Sequence, residues 1–151
     1  MGSNAISMAK YLLYFNDITP PETRKETYSL FYEVWEKIPP QDKLNIEEHL
    51  ELIIIKPIND PLQPDTVAIS RVSPTEPTWL SWIIWNPYIS TLNRISKIFL
   101  LSHEFAHVHL LHPQKNEDKK KAEDEANNYT LKIWKIKPSL DDKKWFPKLD
   151  Y

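Results

Sequence analysis

The segment from Leu92 to Leu111 constrains the fold more than any other stretch of this chain. It is apolar on nearly every side of a helix, yet it carries His103, Glu104 and His107 in the pattern His-Glu-x-x-His. Residues four apart lie on one face of an α-helix, so the two imidazoles can point at one position. Buried polar groups without partners cost about 1–3 kcal/mol each. The sequence therefore predicts a buried helix that contains a polar site.

The spacing of these polar residues favours a metal ion as their common partner. Two imidazoles and a third protein ligand leave one position of a tetrahedral Zn²⁺ for water, whose pKa then falls to about 7. Glu104, next to His103, can take a proton from that water. We therefore predict His103 and His107 as zinc ligands and Glu104 as the catalytic base of a hydrolase. The alternative is an ordinary core in which both histidines hydrogen-bond to backbone or carboxylate groups.

The third ligand is predicted on the next helix. A third histidine six residues beyond His107 is excluded, because Pro113 stands there. Residues 117–134 have a helical composition, with apolar positions at spacings of three and four (Ala122, Ala126, Tyr129 and Ile133). Glu125 lies at one margin of that face and is the predicted third ligand. Glu123, at the other margin, is the second choice. In the alternative interpretation, these acids only balance the neighbouring lysines.

These motifs resemble those of the ImmA/IrrE family of zinc metallopeptidases. The similarity lies in the run 103–107, in the Leu-Leu-His that ends this helix, and in Glu125-Ala126-Asn127 followed by Tyr129. It covers roughly residues 90–136. The resemblance implies that the Glu-Ala-Asn element supplies the third ligand and that the substrate is a protein or peptide such as a transcriptional repressor. Ala106 and Thr130 depart from the family, which often has Gly and Ala at these positions.

The length and composition of the chain limit the number of domains and the classes of partner and metal ligand to expect. The 151 residues suggest one domain over 6–151, after an expression-tag remnant at 1–5. A net charge of −2 gives no reason to expect direct nucleic-acid or membrane binding. The absence of cysteine excludes thiolate ligands and fits a cytoplasmic protein, and no apolar run approaches the length of a membrane span.

The remaining patterns predict a small α+β domain with a zincin-like fold. A helix is expected after Thr19, which would cap it, and the zinc helix would be capped by Ser90 or Thr91. Three strands are expected, at residues 52–55, 66–72 and 77–85. The resemblance makes the third of these the edge strand beside the zinc helix, and its three tryptophans line either a groove or the core. The tail after residue 138 is expected to strap over the core, to cover the cleft or to bind a partner.

Two further points stay open in the sequence. A second donor to the oxyanion of the substrate is expected from one of four residues: Tyr88, Arg94, His109 or Tyr129. The alternative to a peptidase is a zinc-containing regulatory protein that binds a partner with little or no proteolysis, or an interaction domain in which the motif is only structural.

Overall fold

The computed structural model describes residues 13–57, 68–72, 81–88, 92–110, 119–146 and 149. The predicted tag remnant at 1–5 lies outside them. The described helices are α1 (Pro21–Lys37), α2 (Pro40–His49), α3 (Arg94–His109) and α4 (Lys119–Asn128). The strands are β1 (Leu13–Phe15), β2 (Leu50–Ile55), β3 (Ala68–Val72) and β4 (Ser81–Trp85). A π-helical segment (Tyr129–Ile133) continues α4, and a 3₁₀ helix (Leu140–Trp145) follows. The prediction of a small α+β domain is confirmed.

Prolines set the start of α1 and α2. In each helix a proline occupies the N-cap and another the first helical position, where the missing N–H costs nothing. The predicted cap by Thr19 is wrong, because the cap residue is Pro20 and makes no side-chain bond. None of the described helices is long and apolar enough to cross a membrane.

The four described strands form one mixed sheet in the order β1-β2-β4-β3. β2 pairs in parallel with β1 and with β4, whereas β3 runs antiparallel to β4. The prediction that residues 77–85 form an edge strand is wrong for its described part, since β4 lies between β2 and β3. Its residues Ile83, Ile84 and Trp85 are all buried, as expected of an interior strand covered on both faces. The edge beside α3 is β3.

α3 is the central helix of the domain. It contacts α1, α2, α4, the π-helical segment and β3. Phe105 points into an aromatic cluster, with its ring 6.2 Å from that of Phe31 and 5.7 Å from that of Trp35. Trp85 joins this cluster through Phe31, so it packs in the core, while Trp79 and the Trp82 side chain lie outside the described residues. The anchoring of Phe105 fixes the rotation of α3 and turns its opposite side toward α4.

The C-terminal segment packs on the start of α3. Asp142 is buried and its Oδ2 accepts hydrogen bonds from the Ser96 hydroxyl and, at 3.1 Å, from the backbone N–H of Asn93. The ring of Phe146 lies 5.3 Å from that of Phe99. The described part of the tail is therefore a strap over the core. This strap brings the Asp142 carboxylate to the N-terminus of α3. The cap residue of α3 is Asn93, and the predicted caps at 90 and 91 lie outside the described residues.

Candidate metal centre

His103 and His107 lie one helical turn apart on α3 and are both buried. Their Nε2 atoms are 3.0 Å from one another, and their ring centroids are 4.5 Å apart. Two imidazole nitrogens at this distance repel each other unless a proton or a cation lies between them. The predicted pairing of the two histidines is thus present in the fold, and their ring nitrogens converge on one point.

Glu123 on α4 completes a cluster of three ligand groups. Its Oε2 lies 2.9 Å from His103 Nε2 and its Oε1 lies 3.0 Å from His107 Nε2. The ligand atoms of all three residues lie within 4.8 Å of one another. The Glu123 side chain is 58% exposed, so it forms the solvent side of a site whose floor is the buried imidazole pair. Two imidazoles and one carboxylate are a donor set that zinc commonly takes.

The structure corrects the choice between the two glutamates. Glu125, the predicted third ligand, is exposed and is not part of the cluster, whereas Glu123, the second choice, lies against both histidines. Within α4 the buried positions are Ala122 and Ala126. At about 100° per residue, the centre of that face lies about 80° from both Glu123 and Glu125, so the phase of α4 alone does not choose between them.

The error in the predicted apolar face comes from the backbone conformation that follows α4. The prediction used Tyr129 and Ile133 as face positions, which moves the centre by about 10° toward Glu125 and so favours that residue. The chain instead changes to a π-helix at Tyr129, where the Trp134 N–H bonds to the Tyr129 carbonyl, and Ile133 is 55% exposed. An α-helical phase cannot be extended through such a segment.

Electrostatics bind the cluster together. Burial raises the pKa of Glu123, but hydrogen bonds and charge from His103 and His107 outweigh it and leave that pKa well below its ordinary value. Burial lowers the pKa of His103, yet the hydrogen bond to Glu123 and the charges of Glu104 and Glu123 raise it above its ordinary value. These shifts mark a site with carboxylates on two sides of the imidazoles, and such a site attracts a cation.

Glu104 and Asn127 surround the same histidine. Glu104 is buried beside His103 and acts on it through its charge. The Asn127 side chain also raises the pKa of His103 by hydrogen bonding. Sequence reasoning assigned no role to Asn127; its signal is the four-residue spacing from Glu123, which puts both on one face of α4.

Three of the four expected oxyanion donors have other partners. The Arg94 guanidinium pairs with Glu33 at 2.9 Å. Tyr88 is 43% exposed, in a turn after β4. His109 and Tyr129 bond to each other, with 2.9 Å between Nε2 and the phenol oxygen.

His109 and Tyr129 belong to a polar network with Asp42 of α2. Asp42 Oδ2 accepts from the Tyr129 hydroxyl at 3.0 Å and from Trp134 Nε1 at 2.8 Å. The Asn45 amide donates to His109 Nδ1 at 2.9 Å, so the ring proton of a neutral His109 lies on Nε2 and points at Tyr129. Burial lowers the pKa of His109, against the Asp42 charge, which agrees with a neutral ring. The network ties α2 to both segments that carry the cluster.

Comparisons with protein-family models, with curated proteins and with solved structures find no match. The functional interpretation therefore rests on the geometry of the site itself.

Proposed function

We propose that this chain is a zinc-dependent metallopeptidase of the His-Glu-x-x-His type with a zincin-like fold. His103, His107 and Glu123 would hold the ion. The observation that carries the proposal is the convergence of two buried imidazole nitrogens and one carboxylate, with neighbouring atoms 2.9–3.0 Å apart. A second acid, the buried Glu104, lies beside them. Bound there, Zn²⁺ would supply a water of lowered pKa and polarise the carbonyl of the substrate.

The roles of the protein groups follow from their positions. Glu104 is adjacent to a ligand and buried, so it would accept the proton of the attacking water and pass it to the leaving amine. Among the described strands, β3 is the edge strand beside α3, and the backbone groups on its outer side pair with no other described strand and would hold an extended peptide. Glu123 would bind the ion with a carboxylate oxygen from the solvent side, opposite the buried imidazole pair.

The proposal includes the resemblance to ImmA/IrrE metallopeptidases, with one change. The third ligand comes from the helix that follows the motif, but from Glu123 instead of the Glu125-Ala126-Asn127 element. Asn127 of that element would act on His103 as a neighbouring hydrogen-bonding group. The substrate would be a cytoplasmic regulatory protein such as a transcriptional repressor.

Metal analysis of the purified full chain is the first test. We expect about one zinc per chain, and loss of zinc in His103→Ala, because a site with two remaining ligands binds weakly. A chain without zinc, refolded with or without added metal, would favour an ordinary core in which Glu123 only hydrogen-bonds to the histidines.

Glu104→Gln separates an enzyme from a binding protein. The variant should keep its zinc and lose hydrolysis of a synthetic library of unstructured peptides, read by mass spectrometry. Glu48→Gln, at an exposed position of α2, is the matched control and should cleave as the parent does. Full zinc content with no cleavage in the parent chain would favour a zinc-containing regulatory protein.

A further inference from the structure

A groove of about 390 Å³ lies away from the metal cluster, between α1, the first turns of α3 and the segment after the π-helix. Its apolar lining comes from Ile95, Ile98, Trp134 and Ile136. Ile95 and Ile98 lie on a side of α3 that is turned about 130° from His103 and His107. The groove is therefore a separate surface from the proposed active site. Its volume is at the lower end of the range of ligand sites, about 300–1,000 Å³.

Lysines dominate the charge around this groove. Lys37, Lys135 and Lys137 line it and are exposed, and within the described residues none of the three forms a salt bridge. The one acid in the lining, Glu33, pairs with Arg94 at 2.9 Å. The whole chain has a net charge of −2, so this cluster does not reflect a generally basic surface. It creates a local positive field around an apolar floor.

Two features of the groove are unfavourable for the isolated chain. Ile95 is 58% exposed, although most other apolar residues of this helix are buried. Lys135 has a φ of 59°, in the left-handed region that costs a residue with a Cβ about 1 kcal/mol. Backbone strain of this kind concentrates at ligand clamps and switch regions. An occupant that covers the Ile95 side chain and pairs with the Lys135 ammonium would offset the free-energy cost of these two features.

We propose that this groove binds an acidic peptide segment of another protein, with one bulky apolar side chain seated over Ile95 and its carboxylates on Lys37, Lys135 and Lys137. The charge of the rim selects acidic residues, and the apolar floor selects the bulky side chain over a purely electrostatic ligand. The inference does not depend on the metallopeptidase proposal, because no residue of the groove belongs to the metal cluster.

The test is fluorescence anisotropy of the full chain with a labelled Asp/Glu-rich peptide that carries a central phenylalanine. We expect saturable binding that weakens with added salt. Each reversal of Lys37, Lys135 or Lys137 to Glu should weaken it about threefold, and the triple variant about 30-fold. Ile95→Ser should also weaken binding, and Lys25→Glu, an exposed lysine elsewhere on α1, should not.

Three outcomes would overturn the proposal. The first is binding that the triple variant leaves unchanged. The second is equal binding of a peptide with serine in place of phenylalanine, or of a single-stranded oligonucleotide, since either would mean a general polyanion surface. The third is loss of binding when zinc is chelated, which would place the peptide at the metal cluster. If the peptide still binds the groove after a chelator has removed any zinc, the proposal is supported. This result would count even if the chain held no zinc at all.

Discussion

The Tyr129 hydroxyl donates a 3.0 Å hydrogen bond to Asp42 across 87 residues of sequence. Tyr129 follows directly on α4, which carries Glu123, and its oxygen also meets His109, two residues beyond His107. Asp42 thus holds together α2 and the two helical segments that bring the metal cluster to one point. The convergence of the imidazoles and Glu123 depends on this distant contact as well as on the spacing within α3.

Removing the Tyr129 hydroxyl should loosen that contact. Tyr129→Phe leaves the His109 Nε2–H without its acceptor and takes one donor from Asp42, so we expect a loss of about 1–2 kcal/mol in the free energy of unfolding. We also expect weaker zinc binding, because the segment that continues α4 loses one of its two hydrogen bonds to Asp42 of α2. Denaturant unfolding of the metal-free protein and competition with a zinc chelator measure the two effects. Tyr32→Phe, at an exposed site on α1, is the control, and a Tyr129→Phe chain as stable as this control would contradict the prediction.

The two glutamates of α4 should differ sharply in their effect on zinc. Glu123→Gln removes the carboxylate that reaches both histidines, and we expect zinc affinity to fall more than about 100-fold, beyond the loss typical of outer-sphere changes. Glu125→Gln changes an exposed residue outside the cluster and should leave zinc affinity within about threefold of the parent. Equilibrium competition with a chelator measures both. The reverse order would restore Glu125 as the ligand.

This pair of residues also shows what the sequence could predict. The histidine pair was predictable because its spacing of four is local and any α-helix aligns it. The choice of Glu123 depends on how α4 is rotated against α3, and the α-helical pattern that the prediction followed ends where the chain becomes π-helical at Tyr129. That change coincides with the bonds from Tyr129 and Trp134 to Asp42, which no local pattern of residues 117–134 contains.

The sheet shows the same division between local and distant information. The segments of β2, β3 and β4 were predictable from their β-branched and aromatic runs. The order of the strands in the sheet was not predictable, because it does not follow the order along the chain. β4 lies between β2 and β3, although β3 precedes it in sequence. Such an order depends on contacts between strands, and on the burial of Ile83 and Ile84 on both faces of β4.

Tyr129 should ionise later than an ordinary tyrosine. Burial, the hydrogen bond to Asp42 and the Asp42 charge raise its pKa from 10.0 to about 12. The neutral form is therefore favoured by folding, so its contribution to stability is complete below pH 10 and is lost as the pH rises toward 12. The stability difference between the parent and Tyr129→Phe should shrink over that interval.

Phenolate absorbance in an alkaline titration measures the shift directly. The part of the phenolate absorbance that belongs to Tyr129 should appear late in the parent chain, and Asp42→Asn should shift this part toward the ordinary range. A titration curve that Asp42→Asn leaves unchanged would contradict the assignment.

Asp142 should be the most sensitive acid of the C-terminal strap. It accepts from the Ser96 hydroxyl and from the Asn93 N–H at the positive end of α3, and it is only 5% exposed. Asp142→Ala leaves both donors unsatisfied, with an expected loss of about 2–4 kcal/mol in the free energy of unfolding. The neighbouring Asp141→Ala, at an exposed position, should cost under about 1 kcal/mol. Equal midpoints of denaturant unfolding for the two variants would show that the strap contributes little.

A substitution at Lys135 should have opposite effects on the stability of the fold and on binding of the acidic peptide. Its left-handed backbone follows the π-helix at a position where glycine is usual, in a chain whose single glycine is Gly2. Lys135→Gly should raise the free energy of unfolding by about 0.5–1 kcal/mol, because glycine adopts this conformation without strain. Lys132→Gly, inside the π-helical segment, should lower it by a similar amount.

The same Lys135→Gly variant should bind the acidic peptide about threefold more weakly, since it loses one charge at the rim of the groove. A gain in stability together with a loss in binding would mean that the lysine is kept at a cost to the fold for the sake of a ligand. If the variant is stabilised and binds the peptide as well as the parent does, Lys135 has no part in the groove.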